Sequence, residues 1–186
     1  MRLLPNIILI GFMGCGKSTL AKLLAQRLGR QRIDTDALIE TQQGRSIADI
    51  FKNNGEDYFR NLETRILLVE TLQCNVSTNK MGYRPSVIAC GGGIVLRSQN
   101  RVLLRRLGLV IHIDAPLEVL WERVSRDQSR PLAKDRGAFL QRYEERLPLY
   151  RGLADITVVS DGRPALAVLW ELLEKTSRFG VYPLRS

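Results

Sequence analysis

Residues 7–24 read IILIGFMGCGKSTLAKLL, and this stretch decides the fold. Four apolar residues lead into a glycine-rich turn, and leucines at helical spacing follow it, which predicts a strand, a loop and an amphipathic helix in that order. Gly29 stands where the C-terminal cap of that helix would fall. The segment GFMGCGKS, residues 11–18, matches the phosphate-binding P-loop pattern GxxxxGK[ST] at every defined position.

The residue types of this loop fit phosphate chemistry. Gly11, Gly14 and Gly16 allow a tight turn whose N–H groups point at an anion, and the following helix adds the positive end of its dipole. Lys17 supplies a charge for the β- and γ-phosphates of a nucleotide, and Ser18 supplies a hydroxyl for Mg²⁺. The alternative, a glycine-rich hairpin with an accidental Lys-Ser pair, does not account for the flanking strand and helix.

Length and charge limit the remaining possibilities. The chain has 186 residues, which suits one domain with a full-sized core. It carries 28 Lys and Arg against 19 Asp and Glu, for a formal net charge of +9, and such a balance raises nucleic-acid binding as an alternative. The basic residues are scattered, however, and no aromatic-rich basic strand is present. We therefore expect no nucleic-acid partner.

Neither a membrane segment nor a disulfide framework is predicted. No stretch approaches the roughly 18 consecutive apolar residues that a membrane-spanning helix needs. Cys15, Cys74 and Cys90 are odd in number, are widely separated and lack metal-ligand spacing, which favours a reducing compartment. We expect a cytoplasmic protein without membrane contact, acting as a monomer.

The rest of the chain alternates between strands and helices. Apolar runs predict further strands at residues 31–34, 87–90, 109–114 and 156–159. Helical spacing predicts further helices at residues 37–42, 46–51, 56–72, 98–107, 116–126, 138–150 and 164–175. Polar segments at 75–85 and 127–137 are expected to be loops. Thr35 or Asp36 is the expected cap of the second helix, and Gly44 and Gly55 are expected to end helices.

This alternation predicts the fold class. Continuously apolar strands joined by helices call for a parallel sheet that is covered on both faces and connected by right-handed crossovers. We therefore expect an α/β protein with three α/β/α layers, a five-stranded parallel sheet and a single domain over residues 1–186.

Ligands of such sheets bind at the carboxyl ends of the strands. This rule brings to one edge the P-loop, Asp34 and Asp36, Gly91–Gly93 and the loop after Asp114. One carboxylate near Ser18 suffices for Mg²⁺, and a second could hold an acceptor hydroxyl and take its proton. Helix capping by both acids is the alternative, and Asp114 is a rival for the metal role.

Taken together, these blocks resemble the shikimate kinase family, in the nucleoside monophosphate kinase-like group of P-loop kinases. The P-loop is shared with many nucleotide enzymes, whereas the other blocks are more specific. Their order and spacing hold from residue 7 to about residue 165. The blocks are the P-loop, Asp34-Thr35-Asp36, the segment GRSIADIF at 44–51, Gly55, Phe59-Arg60-xx-Glu63, Gly91–Gly93, Arg130-Pro131-Leu132 and Arg146-x-Pro148-Leu149-Tyr150.

The resemblance implies an enzyme that transfers the γ-phosphoryl group of ATP to the 3-hydroxyl of shikimate, with Mg²⁺ as cofactor. It implies that Ser18 and Asp34 hold the metal, Asp34 through water. It also implies that Arg130 lies on a mobile lid, at about residues 125–137, and reaches the transferring phosphate, while Arg123 and Arg163 lie on the adenine side. The residues implied to bind ATP are Gly14, Cys15, Gly16, Lys17, Ser18, Thr19, Arg123, Arg130 and Arg163.

The resemblance also implies a substrate side, built on a helical segment at about residues 36–63. Asp36 is implied to contact the shikimate hydroxyls and is our expected base. Arg60 and Arg146 are implied to grip the substrate carboxylate, a role that suits the planar guanidinium. Gly91–Gly93 are implied to pack against the ring. The residues expected to be catalytic are Lys17, Asp36 and Arg130.

Individual residues carry alternatives. Arg60 could pair with Glu56 or Glu63 on the surface instead of binding substrate. Cys90 stands where Ser or Thr is more usual in the family, which puts in doubt a hydroxyl contact to metal or phosphate there. His112, the only histidine, is expected to be a strand residue without a catalytic part.

Two alternative functions remain open. A kinase for another small acid, such as gluconate, would share the architecture, but the Asp-Thr-Asp, triple-glycine and paired-arginine blocks disfavour it. A nucleotide-binding regulatory module without turnover is the other alternative. Intact Asp34, Asp36 and Arg130 argue against that module, because a retired site has no need of them.

Overall fold

Five parallel strands form one sheet in the computed structural model, which describes residues 5–77, 85–126 and 135–180. The strand order is β2-β3-β1-β4-β5, and Ile8 in the central strand pairs with Ile88 on one side and Val110 on the other. This confirms the predicted α/β class and the five-stranded parallel sheet. The strands are β1 (Asn6–Ile10), β2 (Gln31–Asp34), β3 (Ser86–Ala89), β4 (Gly108–Asp114) and β5 (Ile156–Val159).

Helices connect the strands. Those of the described ranges are α1 (Lys17–Leu28), α2 (Thr35–Gln43), α3 (Ile47–Ser77), α4 (Ser98–Leu107), α5 (Leu117–Ser125), α6 (Arg136–Leu153) and α7 (Ala165–Ser177). Among the described helices, none combines the length and the hydrophobicity of a membrane-spanning segment.

Two predicted loop boundaries were wrong. Helix α3 continues to Ser77, into the segment expected to be a loop from residue 75, and residues 78–84 lie outside the described ranges. Helix α6 begins at Arg136, inside the loop predicted to end at 137. The side chain of Asp135 caps this helix by accepting hydrogen bonds from the backbone N–H groups of Gly137 (2.8 Å) and Ala138 (3.3 Å). Asp135 was counted among the polar residues of the predicted loop, but it marks the start of the helix.

The cap of α2 is also corrected. Asp34, rather than Thr35 or Asp36, is its N-cap, and the carboxylate accepts from the N–H of Ala37 at 3.4 Å. Thr35 is fully buried, and its hydroxyl accepts from the N–H of Gly91 at 2.9 Å. Strand β2 thus passes into helix α2 without an intervening loop, and Thr35 ties this corner to the segment after β3.

Burial follows position in the sheet. Strands β1, β3 and β4 are buried nearly throughout, as the continuous apolar pattern predicts. That prediction was wrong for the two edges, because β2 is exposed or half-buried and β5 alternates between buried and exposed residues. A second, smaller apolar cluster joins α2 to α3 and contains Ile39, Ile50, Phe59, Leu62 and Ile66.

The predicted break at Gly55 is confirmed. Gly55 has φ 80° and ψ 174° inside α3, a conformation that is open almost only to glycine. The helix therefore divides into two arms with different directions. The second arm carries Arg60 and Glu63 toward the carboxyl edge of the sheet.

Candidate active site

A cleft of about 230 Å³ opens at the carboxyl edge of the sheet, above β1, β2 and β3. It joins segments that are separated in sequence but were expected to meet at this edge. The residues that line it are Met13, Gly14, Gly16, Lys17, Ser18, Thr19, Asp34, Asp36, Cys90 and Gly92.

The P-loop has the tight turns that its glycines predict. Gly11, Gly14 and Gly16 all have positive φ, at 147°, 82° and 95°. Lys17 curls over the turn, and its ammonium donates to the carbonyl oxygens of Gly11 and Phe12, at 2.9 Å each. The loop thus holds a cation at the place where the N-terminus of α1 also attracts anions.

Ser18 and Asp34 meet across the cleft. The Ser18 hydroxyl donates to Oδ2 of Asp34 at 3.0 Å. One hydroxyl and one carboxylate side by side suit Mg²⁺, which is usually held by one or two protein oxygens together with waters and substrate phosphates. Asp114, the rival for this role, instead accepts from the N–H of Ala115 at 2.9 Å and pairs with Arg151 at 3.5 Å.

Two of the three glycines after β3 make room for charged side chains. A Cβ atom at Gly91 would collide with the carboxylate of Asp36, and one at Gly93 would collide with the guanidinium of Arg60. Gly92 instead faces the P-loop, since a Cβ there would lie 3.6 Å from the backbone of Gly11. The glycines therefore allow the acid and the arginine to approach the backbone that borders the cleft.

Cys90 precedes these glycines and is 2% exposed. Its N–H donates to the carbonyl oxygen of Leu9 at 3.0 Å, and burial raises the pKa of its thiol. The residue therefore offers the cleft a neutral thiol, a weaker donor than a Ser or Thr hydroxyl.

Arg60 does pair with acids, as the alternative held, but the arginine itself and its partner Glu63 are buried. The arginine is 7% exposed; Nη1 donates to Glu63 at 2.8 Å, and Nη2 donates to Glu56 at 2.7 Å. Glu63 has no exposed surface, and burial raises its pKa to about 7, against the opposing pull of Arg60. Glu56 is largely exposed, and the Arg60 hydrogen bond lowers its pKa.

Arg146 is the second buried arginine of the site, and its situation differs. It is 9% exposed and lies over the Phe12 ring, 5.8 Å from the centroid. Its Nε atom is buried without a hydrogen-bond partner, and no carboxylate in the described part of the chain forms an ion pair with it. Burial lowers its pKa, and Arg60 adds to the effect. A buried cation without an anion is a strong attractor for a ligand carboxylate.

Sequence reasoning missed Tyr150, although it closes one of the quoted blocks. The side chain is 1% exposed, and its hydroxyl donates to the carbonyl oxygen of Gly92. Its ring stacks on His112, with centroids 5.2 Å apart and planes 20° apart. The available signal was the position of this tyrosine one helical turn after Arg146.

The remaining predicted residues divide by location. Arg123 donates to the carbonyl oxygen of Gly14 at 3.1 Å and to Ser160 at 3.4 Å, which places it against the P-loop. Arg163, in the loop after β5, is exposed and pairs with Asp161 at 2.7 Å and Glu171 at 2.8 Å. Arg130 and most of the predicted lid lie outside the described ranges.

Comparison with known proteins gives one consistent family. The family described as "SKI: Shikimate kinase" matches residues 13–177. A shikimate kinase of Dehalococcoides mccartyi is 43% identical over 181 residues, covering 96% of this chain and 97% of that protein. The structure of a shikimate kinase from Acinetobacter baumannii in complex with shikimate has a TM-score of 0.84 at 32% identity, with 96% of each chain covered. The Aquifex aeolicus enzyme is similar, with a TM-score of 0.78 at 33% identity over 95% of this chain and 98% of that one.

Proposed function

This chain belongs to the shikimate kinase family, and we propose that its cleft transfers the γ-phosphoryl group of ATP to the 3-hydroxyl of shikimate, giving shikimate 3-phosphate and ADP. This activity is a step of aromatic amino acid biosynthesis. The observation that carries the assignment to this cleft is its two-sided chemistry. The P-loop with Lys17 supplies the phosphate side. Asp36, which lines the same cleft, and the buried guanidinium of Arg146, whose Nε has no hydrogen-bond partner, supply the acceptor side.

The nucleotide binds at the P-loop. The backbone N–H groups of residues 14–19 surround the phosphates, and the Lys17 ammonium exchanges its carbonyl partners for phosphate oxygens. Arg123 steadies the loop from behind through Gly14 and borders the adenine side. Arg163, also assigned to that side, must exchange its bonds to Asp161 and Glu171 to reach a nucleotide.

Ser18 and Asp34, whose oxygens are 3.0 Å apart, would hold Mg²⁺, with Asp34 acting through water. The ion neutralises charge on the phosphates when bound. Asp34 has a second task as the cap of α2, so its carboxylate orientation is fixed by the fold.

The acceptor binds beside Asp36. The carboxylate of the acceptor meets Arg146 and Arg60, and the ring of the acceptor lies along Gly91–Gly93. The acceptor hydroxyl faces the Asp36 carboxylate. Asp36 takes the proton of the acceptor hydroxyl while the hydroxyl oxygen forms a bond to the γ-phosphorus. The bond between the γ-phosphorus and the β–γ bridging oxygen breaks, and that oxygen leaves with ADP. Positioning and electrostatic stabilisation supply most of the rate, because the protein forms no covalent intermediate.

Two segments complete this proposal. Residues 36–63 form the substrate-binding part, which the separate apolar cluster of α2 and α3 supports. We propose that the lid lies at about residues 125–137, most of which are outside the described ranges, and that Arg130 acts on the transferring phosphate. Cys15 and Cys90 are both free, which supports a reducing cytoplasm, and we propose that the chain acts as a monomer.

The test is ADP release by the purified protein with Mg-ATP, comparing shikimate, gluconate and no acceptor. We expect release that depends on shikimate, with shikimate 3-phosphate identified by phosphorus NMR. Stimulation by gluconate alone would contradict the assigned acceptor. Tight ATP binding without acceptor-dependent release would point to a regulatory module instead.

A further inference from the structure

Tyr150 stands out among the polar groups that the phosphoryl-transfer chemistry leaves without a task. It belongs to α6, one turn beyond Arg146, and it is almost completely buried. Its hydroxyl donates to the carbonyl oxygen of Gly92, in the glycine loop (Gly91–Gly93) that follows β3. The side chain therefore links two elements, α6 and the glycine loop, that approach the acceptor from different directions.

The phenol has one proton, and the hydrogen bond to Gly92 uses it. The oxygen therefore faces other groups only as an acceptor. Arg146 lies one helical turn earlier on the same helix, and its positive charge acts on the phenol. Burial raises the pKa of the phenol, so the hydroxyl keeps its proton across the working range of an enzyme. Tyr150 thus stands between Arg146, one turn earlier on α6, and the carbonyl oxygen of Gly92.

His112 supports the other side of this ring. It lies in β4, is 1% exposed, and stacks nearly parallel to Tyr150. Since β4 pairs with β1 on one side and β5 on the other, the imidazole is fixed by the sheet. An aromatic ring in this place prevents the phenol from tilting away from Gly92.

We propose that Tyr150 is a positioning residue for the acceptor: its hydroxyl sets the spacing between the carboxylate-binding Arg146 and the glycine loop that borders the substrate ring, with His112 as the platform beneath it. Tyr150 itself touches no reacting atom. The inference rests on the proposed function, because it assumes that Arg146 binds the acceptor carboxylate.

The alternative is that Tyr150 fills the core and nothing more. Tyr150→Phe separates the two, since it keeps the ring and removes the hydroxyl. Removing the hydroxyl takes this partner from the Gly92 carbonyl oxygen, and a buried polar group left unsatisfied typically costs about five- to a hundredfold in an equilibrium constant. We expect an increase of that order in the dissociation constant for shikimate and unchanged affinity for ATP. A packing role would leave both affinities as they are.

The matched control is Tyr143→Phe, the same chemical change two turns earlier on α6. Tyr143 packs edge-on against Phe12, 5.5 Å between centroids, and has no hydrogen bond to the glycine loop. We expect wild-type shikimate affinity from this variant. An equal loss in both tyrosine variants would overturn the proposal, because it would assign the effect to α6 in general.

A double-mutant cycle tests the route of the effect. Tyr150→Phe is combined with Arg146→Met, and shikimate affinity is measured by calorimetry for the four proteins. We expect strong non-additivity, with little further loss from removing the hydroxyl once the guanidinium is gone. Additive losses would show that Tyr150 does not act through Arg146.

A second pair of variants keeps the test independent of Tyr150 itself. His112→Ala removes the platform and should weaken shikimate binding in the same direction, whereas His112→Phe keeps a stacked ring and should restore it. Failure of His112→Phe to restore binding would overturn the platform role. If the wild-type protein bound no shikimate, the proposed function would fail. If it bound shikimate as tightly as Tyr150→Phe does, only the inference would fail.

Discussion

Ion pairing, rather than the degree of burial, distinguishes the two buried arginines of this site. Arg60 and Arg146 are almost equally buried, at 7% and 9% exposed. Arg60 has the carboxylate of Glu63 at 2.8 Å, whereas Arg146 has no described carboxylate as a partner. A paired buried charge is part of the folded structure, but an unpaired one is a cost that a ligand can offset.

The two arginines should therefore respond oppositely to replacement by methionine. Arg60→Met leaves Glu63 buried without a partner and should lower the free energy of unfolding by about 3–5 kcal/mol. Arg146→Met removes an uncompensated charge, so its stability should equal or exceed that of the wild type. Both variants should raise the shikimate KM. Urea denaturation and steady-state kinetics measure the two effects.

A control for Arg60 is the double variant Arg60→Met/Glu63→Gln, which removes the stranded carboxylate. It should recover most of the lost stability without recovering shikimate affinity. An unchanged shikimate KM in Arg60→Met would remove Arg60 from the site.

Asp36 is expected to act in the chemical step rather than in nucleotide binding. The Asp36→Asn variant keeps the size of the side chain and loses the base. We expect kcat to fall by at least about a hundredfold, the usual size of a general-base effect. ATP affinity, measured by equilibrium binding, should stay at the wild-type value, and a near wild-type kcat would contradict the role.

At the scale of elements, Gly55 sets the direction of the second arm of α3, which carries Arg60. Gly55 turns α3 through a conformation with φ 80° and ψ 174°, so the second arm starts in a new direction. Along that arm, Thr64 donates to Asn100 of α4 at 2.7 Å, and Asn100 donates to the carbonyl oxygen of Ile94 after the glycine loop. The kink and these buried bonds together place Arg60 against Gly93.

Replacing Gly55 with alanine should strain this bend. Nothing lies within 4 Å of an added Cβ, so the cost is conformational and on the order of 1–3 kcal/mol. The shikimate KM should also rise, because the arm that carries Arg60 must rotate to relieve the strain. Thermal unfolding and kinetics check both.

Gly152→Ala is the matched control for that change. Gly152 lies inside α6 without a positive φ, and an added Cβ there also meets nothing within 4 Å. Alanine should stabilise the helix by roughly 0.5–1 kcal/mol. Equal effects of the two substitutions would show that Gly55 is not under a special backbone demand.

At the scale of the molecule, the order of the strands assembles the cleft. The chain crosses from β1 to the far edge at β2, returns through β3 and then continues to β4 on the other side of β1. The P-loop, Asp34 and the glycine loop each follow a different strand, so they share the same sheet edge although up to about eighty residues separate them.

His112 should make the stability of the whole molecule sensitive to acid. Burial lowers its pKa to about 4, from an ordinary value near 6.5, against the opposing effect of Asp114 and together with Arg151 and Lys17. Below pH 6.5 His112 is protonated in the unfolded chain, whereas in the folded chain it is protonated only near pH 4 and below. Stability from this residue is therefore lost as the pH falls through that window, by about 2 kcal/mol between pH 7 and pH 5.

Glu63 works in the opposite direction, because its raised pKa makes the folded chain bind a proton as the pH falls from about 7. The comparison must therefore be with His112→Phe, which retains Glu63 and the stacked ring. Urea unfolding at pH 7 and pH 5 should show a smaller acid loss in the variant, by about 2 kcal/mol. Equal acid losses would show that His112 is protonated in the folded protein.

Local sequence patterns were sufficient to predict most of the fold. The P-loop, the alternation of strands and helices, and the breaks at Gly29, Gly44 and Gly55 could all be predicted because each depends on backbone conformation or periodicity within a few residues. The edge strands β2 and β5 could not, since exposure of an apolar or mixed run depends on strand order. The start of α6 was missed because Asp135 is equally compatible with a loop and a cap.

Motif spacing and periodicity are properties of the chain alone, and they were enough to predict a P-loop α/β protein whose charged residues meet at one edge of the sheet. What each side chain does there depends on the folded structure. It made Asp34 both a helix cap and the partner of Ser18, paired Arg60 rather than Arg146, and placed Tyr150 between α6 and the glycine loop. Hydrogen bonds and burial depend on neighbours from distant segments, and no local pattern encodes which neighbours those are.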